Sequence, residues 1–336
     1  MKICILGAGS WGIAIAKLLS CNEHEVTVWS IDPEEINMLK TACEHKTKLP
    51  GVILPGCVEF TTDIKFALED KELVVIAVPS PFVRSTAASA FPYIEDGTTI
   101  VSVAKGIEDD SLLRLSEVIE QEIPQAKVAV LSGPSHAEEV GKLMPTTVVV
   151  GAKSKDVALM VQDAFMTDFF RVYTSPDMVG IELGGALKNV IALAAGVADG
   201  LGCGDNAKAA LITRGIVEIT ALGTKMGGHP ETFAGLSGTG DLIVTCASVH
   251  SRNRRAGILI GQGMKYQEAM DSVKMVVEGV YSAKAALALA QKYDVEMPIV
   301  ECVNKVLFED YPAKEAMHDL LTRDRKKEVS GLSWHN

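Results

Sequence analysis

The chain has 336 residues, 48% hydrophobic and 22% charged, which suits about two domains with a sizeable core. Its 32 basic and 43 acidic residues leave a formal charge of -11, a field that repels nucleic acid and anionic membranes, so neither is expected as a partner. Seven cysteines, an odd number without a C-x-x-C pair, fit reduced thiols in a cytoplasm and argue against a disulfide scaffold or a bound metal.

The N-terminal apolar run is interrupted by Gly7, Gly9, Gly12 and Lys17, so it is not expected to act as a secretory leader. A strand is expected at 3–6. It runs into Gly7-Ala8-Gly9-Ser10-Trp11-Gly12 and a helix over 11–20, which is G-x-G-x-x-G in its strand–turn–helix setting. There Gly7 would permit the tight turn, Gly9 the approach of a pyrophosphate, and Gly12 close helix–strand packing. The helix N-terminus would offer unpaired N–H groups to the phosphates.

A second strand at 26–29 ends in Ser30-Ile31-Asp32, with a helix over 33–42 opened by Pro33. Ser30 stands where an acid usually holds the adenosine ribose. Asp32, two residues later, would contact the ribose or cap the helix. No arginine lies at 30–32 to meet a 2′-phosphate, although Lys46 and Lys48 follow. Further strands at 73–78, 99–103, 128–131 and 147–150 alternate with helices over 81–90 and 111–121. Short Val/Ile/Leu runs between helices predict an α/β, Rossmann-type doubly wound sheet, mostly parallel.

Beyond Pro176 strand-like runs become rare, and helices are expected over 177–201, 206–226, 251–261 and 282–293. The chain therefore divides into a dinucleotide-binding domain, 1–178, and an all-α substrate-binding domain, 179–330. The longest apolar stretch, 181–197, carries Glu182, Lys188 and Asn189, so no membrane insertion is expected. The polar stretch 325–336 is expected to fray.

Three segments carry candidate chemistry. Val101-Ser102-Val103-Ala104-Lys105-Gly106 puts Lys105 at the carboxyl edge of the sheet, where open α/β sheets bind ligands. Gly184-Gly185-Ala186-Leu187-Lys188-Asn189 isolates Lys188 in a nearly uncharged helix, where desolvation would lower its pKa toward acid–base use. Gly235-Leu236-Ser237-Gly238-Thr239-Gly240-Asp241 leads to His250-Ser251-Arg252-Asn253-Arg254-Arg255, in which Arg252 offers a planar fork for a phosphate.

Taken in order, GAGSWG, SVAKGIE, LSGPSHA, ALKNV, SGTGDL, HSRNR and VVEG make the chain similar over nearly its whole length to the NAD(P)-dependent glycerol-3-phosphate dehydrogenases of the soluble bacterial type. The resemblance implies reversible NAD(P)H-dependent reduction of dihydroxyacetone phosphate to sn-glycerol 3-phosphate, feeding glycerophospholipid synthesis, by a homodimer. It implies that Lys188 is the proton donor and acceptor. Around the substrate it puts Lys105, Gly133, Ser135, Asn189, Asp241, Thr245, Ser251, Arg252 and Asn253. Around the cofactor it puts Gly7, Gly9, Ser10, Trp11, Gly12, Asp32, Lys105, Ala137, Arg252, Val276 and Glu278. Many members carry Phe where this chain has His136, and with Lys188 in the acid–base role His136 needs none. Many also carry a basic residue where this chain has Ile31, which leaves NAD and NADP both open. The rival readings are a two-domain reductase of another hydroxy acid, whose K-x-x-x-N pattern differs from the adjacent Lys188 and Asn189, and a non-catalytic dinucleotide sensor.

Overall fold

A computed structural model describes residues 1–325, 327 and 328. Apart from Arg325, Lys327 and Glu328, the tail expected to fray lies outside the described residues. Among the described residues eight strands form one sheet: β1 (Lys2–Leu6), β2 (Glu25–Trp29), β3 (Glu59–Thr61), β4 (Leu73–Ile76), β5 (Thr99–Ser102), β6 (Lys127–Ser132), β7 (Thr146–Ala152) and β8 (Phe170–Ser175). Their order is β3-β2-β1-β4-β5-β6-β7-β8, and all neighbours are parallel except β6 and β7. Strand order reverses beside β1, which makes the crevice between β1 and β4 the switch point where such sheets take ligands.

The register aligns the carboxyl ends. Leu6 lies beside both Trp29 and Ile76, and Ile76 lies beside Ser102. Burial on both faces explains the unbroken apolar runs. In β1, Ile3 and Ile5 enter one core with Ile13, Leu18, Val161 and Phe165, whereas Cys4 and Leu6 enter the opposite core with Ala87, Val118 and Ile119. Each fully buried Ile or Leu contributes roughly 1.5–3 kcal/mol by leaving water.

Two strands escape the expected set. β3 is only three residues long, and β8 alternates, with Phe170 and Val172 buried while Arg171 and Tyr173 face outward. The helix expected over 111–121 begins at Leu115, because Leu112 adopts a left-handed conformation (φ 59°) and Ile107 bridges to Arg114. Likewise the helix expected over 81–90 starts at Val83, after a 3-10 turn at Ser80–Phe82 that contains Pro81.

The second half packs around one helix, Met178–Gly200. By length and composition it would span a membrane, but it is almost wholly buried, and its apolar surface on every side is that of a core helix. Asp177 anchors its start, accepting from the N–H of Gly180 (2.8 Å) and His229 (2.9 Å) and from Thr232 Oγ1 (2.6 Å). Helix Arg252–Gly261 crosses it glycine to glycine. A Cβ on Gly257 would lie 2.2 Å from the Leu193 carbonyl oxygen, and one on Gly196 would lie 2.2 Å from that of Arg254. Backbone touches backbone at this crossing.

Candidate active site

The carboxyl ends of β1, β2, β4 and β5 and the helical half enclose a cavity of about 630 Å³. At one end is the glycine loop. Gly7 (φ 122°) donates its N–H to the Trp29 carbonyl (2.9 Å), and a Cβ there would come 2.9 Å from the Ala77 carbonyl. A Cβ on Gly12 would overlap the Gly7 carbonyl oxygen at 2.0 Å. Gly9 differs, since a Cβ on it would meet no protein atom, so the space in front of it is cavity. Helix Ser10–Cys21 begins there with no side-chain cap and no acid in its first turn. Unused N–H groups facing an open cradle fit the pyrophosphate of a dinucleotide.

Around the end of β2 the acid comes from the following helix. Asp32 caps helix Pro33–Ala42, accepting from Glu34 N–H at 2.8 Å. Glu35, in the first turn of that helix, accepts at Oε2 from Ser30 Oγ (2.8 Å), while Lys48 Nζ and His45 Nε2 meet its Oε1. Burial opposes the charge, but these three partners outweigh it and hold the Glu35 carboxyl at about 2. Asp32, Glu35 and Lys48 all line the cavity, together with exposed Ile31 and Phe82. Lys46 does not reach it. Glu35 is the residue that sequence reasoning missed. The available signal was an acid in the first turn of the helix that follows β2, where the strand itself is followed by a serine.

At the opposite end the charged groups converge. Lys188 is 5% exposed and Asp241 1%, and the lysine's stem does not run to solvent. Lys188 Nζ lies 2.7 Å from Asp241 Oδ1 and donates to Thr245 Oγ1 at 2.6 Å. Thr245 in turn donates to the Asp241 carbonyl at 2.6 Å. Lys105 Nζ binds the other carboxylate oxygen at 2.6 Å and the Gly133 carbonyl at 3.0 Å, with Ser135 Oγ at 3.5 Å. One aspartate thus bridges two lysines from different domains. It is presented by a π-helical turn, Leu236–Gly240, a local irregularity common at such sites. The glycine pair before Lys188 lets this happen, because a Cβ on Gly184 would lie 2.7 Å from the Ser237 carbonyl oxygen and one on Gly185 2.8 Å from Ser132 Oγ.

Burial lowers the Lys188 pKa, Asp241 resists that, and Lys105 adds to it, leaving about 8. Asp241 is held below the usual carboxylate range because the two ammonium groups outweigh its burial. His136 lines the same cavity. Burial, then Lys188 and Lys105, push its pKa down, and its Nε2 has no hydrogen-bond partner among the described residues.

Of the remaining expected residues, Asn189 and Asn253 are joined to each other (2.9 Å), and Asn253 Oδ1 accepts from Gly279 N–H (2.8 Å). Ser251 caps helix Arg252–Gly261, accepting from Arg254 N–H. Their polar atoms are therefore partly spent on the scaffold, although all three border the cavity. Arg252 donates one Nη1 bond to the Val276 carbonyl at 3.2 Å, and its remaining donors have no hydrogen-bond partner among the described residues. Burial pushes its pKa down while Glu278 and Glu138 offset that. Glu278 accepts from Ser80 through both the backbone N–H (3.1 Å) and Oγ (2.5 Å), which latches the helical half to the sheet. Ser10, Trp11, Ala137 and Val276 line the cavity as well. Gly12 and Gly133 do not. The first packs against the loop, and the second offers its carbonyl to Lys105 and to Ser135 Oγ (2.9 Å). No group of three His, Cys, Asp or Glu suited to a metal is gathered among the described residues.

Residues 2–158 match the N-terminal and 177–318 the C-terminal model of NAD-dependent glycerol-3-phosphate dehydrogenase. A protein of Agathobacter rectalis named glycerol-3-phosphate dehydrogenase (NAD(P)+) is 62% identical over 333 residues, covering 99% of each chain. One of that name from Fusobacterium nucleatum is 57% identical, covering 99% of this chain and 100% of its own. The crystal structure of glycerol-3-phosphate dehydrogenase from Coxiella burnetii superposes with a TM-score of 0.93 at 38% identity, covering 96% of this chain and 99% of its own. With both halves matched and these relatives aligned end to end, the chain belongs to the NAD-dependent glycerol-3-phosphate dehydrogenase family.

Proposed function

We propose that the protein is an oxidoreductase that reversibly reduces dihydroxyacetone phosphate to sn-glycerol 3-phosphate with NAD(P)H. The observation that carries this is Lys188, a buried amine with a pKa of about 8, set between Asp241 and Thr245 in the cavity that the glycine loop also lines. When bound, the dinucleotide supplies the hydride. The loop at Gly7, Gly9 and Ser10 and the helix N-terminus behind it would hold its pyrophosphate, with Trp11, Ala137, Val276 and Glu278 lining the rest of its path.

Reduction develops negative charge on the carbonyl oxygen, and Lys188 answers it. An ammonium has three N–H donors, of which Asp241 and Thr245 take two. The third is left for the substrate oxygen, to which it passes its proton as the charge grows. Asp241 keeps the amine charged until then, and Lys105 adds a second cation beside the same carboxylate. Arg252 would take the substrate phosphate with donors it does not spend internally. Ser135, Asn189, Ser251 and Asn253 would border the substrate, and Asn189 and Asn253 would brace each other as they do so.

The division at 1–178 and 179–330, a homodimeric state and a cytoplasmic location belong to the same reading, supported by the resemblance and the unpaired cysteines. So does a role in phospholipid synthesis, for which the product is a backbone. The test is oxidation of NADH and of NADPH, followed by nicotinamide absorbance, with dihydroxyacetone phosphate against unphosphorylated dihydroxyacetone. Turnover that needs the phosphate is expected. Equal rates on the two ketones would overturn the assignment.

A further inference from the structure

We propose that Glu35 and Lys48 together form the coenzyme selector of this protein, the carboxylate favouring a ribose diol and the ammonium, when released, favouring a 2′-phosphate. This rests on the dinucleotide reading above and concerns residues outside the glycine loop. The end of β2 carries Ser30 where an acid would stand, and the Ser30 hydroxyl donates to Glu35 Oε2 at 2.8 Å. The carboxylate missing from the strand is thus supplied from the first turn of the next helix, and it lines the cavity. Its Oε1 is taken by His45 and Lys48, whereas Oε2 carries only the serine bond and can accept one more hydroxyl.

Asp32 is unsuited to this role, because it caps the helix. Lys48 is different from Glu35 in exposure. Its side chain is 38% exposed against 12% for the carboxylate, so the lysine is the partner able to swing away. Bound to Glu35 it offers no net charge to a phosphate. A 2′-phosphate dianion placed here meets the anionic carboxylate first and must draw Lys48 off it, which costs affinity. A ribose diol needs neither step.

The test measures binding of NADH and NADPH to the full-length protein by fluorescence titration, without substrate, so it reads out whether or not the proposed reaction occurs. Glu35→Gln keeps an acceptor for Ser30 but removes the charge and frees Lys48, and it should raise the preference for NADPH over NADH by about tenfold. Lys48→Met should lower that preference by at least about threefold. The two variants must move the ratio in opposite directions, which loss of fold cannot imitate. Unchanged ratios, or shifts of the same sign, overturn the proposal. Should Glu35→Gln fail to fold, Lys48→Met alone decides, a fall supporting the selector and an unchanged ratio removing it.

Discussion

Among the buried ionisable groups in the helical half of the molecule, desolvation displaces Lys188 and Glu218 by comparable amounts, to about 8 and about 7. Their surroundings differ. Lys188 faces a counter-charge, a hydroxyl and an open cavity. Glu218 faces the start of helix Pro298–Phe308, accepting from the N–H groups of Ile299 (2.9 Å) and Val300 (3.4 Å), away from that cavity. A displaced pKa alone therefore marks burial rather than activity. What separates chemistry from scaffold is an unspent donor and room for a substrate.

The sharpest way to break this contrast is to remove each group. Lys188→Ala takes out the proposed proton donor while leaving the glycine loop intact. General acid–base groups contribute ~10²–10⁴-fold, so kcat should fall at least about a hundredfold with NADH affinity nearly unchanged. Retention of more than about a tenth of wild-type kcat would return Lys188 to the scaffold class.

Arg252→Ala comes next. Truncating one partner of a buried charge pair costs roughly 2–5 kcal/mol, or about thirtyfold or more in kcat/KM for dihydroxyacetone phosphate. Unphosphorylated dihydroxyacetone never had the contact, so its poor turnover should change far less. Matching losses on both would mean that Arg252 holds the cofactor or the fold.

Acidity gives a third handle. Reduction needs protonated Lys188, so its kcat/KM should decline as pH rises through about 8, and oxidation of glycerol 3-phosphate should decline as pH falls through the same value. Asp241→Asn removes the charge that resists the lowering, so the reduction limb should move to lower pH. Limbs that stay put in the variant would show that Asp241 does not tune the amine.

The smallest effect belongs to Glu218. Its folded pKa, about 7, lies above its ordinary value of 4.5. The stability it contributes is present below 4.5 and lost as pH rises through 7, on the order of 2 kcal/mol between pH 5 and 8. Relative to Glu218→Gln, wild type should therefore lose a few degrees of Tm over that range while kcat stays the same in both. Parallel Tm profiles by calorimetry would remove Glu218 from this account.

How far the sequence reveals this molecule depends on the range of the interactions. The glycine loop, six of the eight strands and the isolation of Lys188 are legible because each is local: a turn, a doubly buried run, a charge in an apolar helix. β8 is hidden because an edge strand buries one face, so Phe170 and Val172 alternate with Arg171 and Tyr173 instead of forming a run. The bridging of Lys105 and Lys188 by Asp241 joins residues up to 136 positions apart, a distance no local pattern measures. The grip of Lys48 and His45 on Glu35 is lost for the same reason, since only the folded loop between 43 and 54 returns them to the helix.

The glycine crossing of helices Met178–Gly200 and Arg252–Gly261 carries a last consequence. One helix bears the amine, the other the guanidinium, and main chain rests on main chain where they meet. No rotamer can slacken such a joint, so the two main chains that carry Lys188 and Arg252 keep a fixed spacing where they cross. If the two cations hold opposite ends of the substrate as proposed, a longer phosphorylated ketone would have to be fitted by these two side chains alone, because their helices cannot part at the crossing.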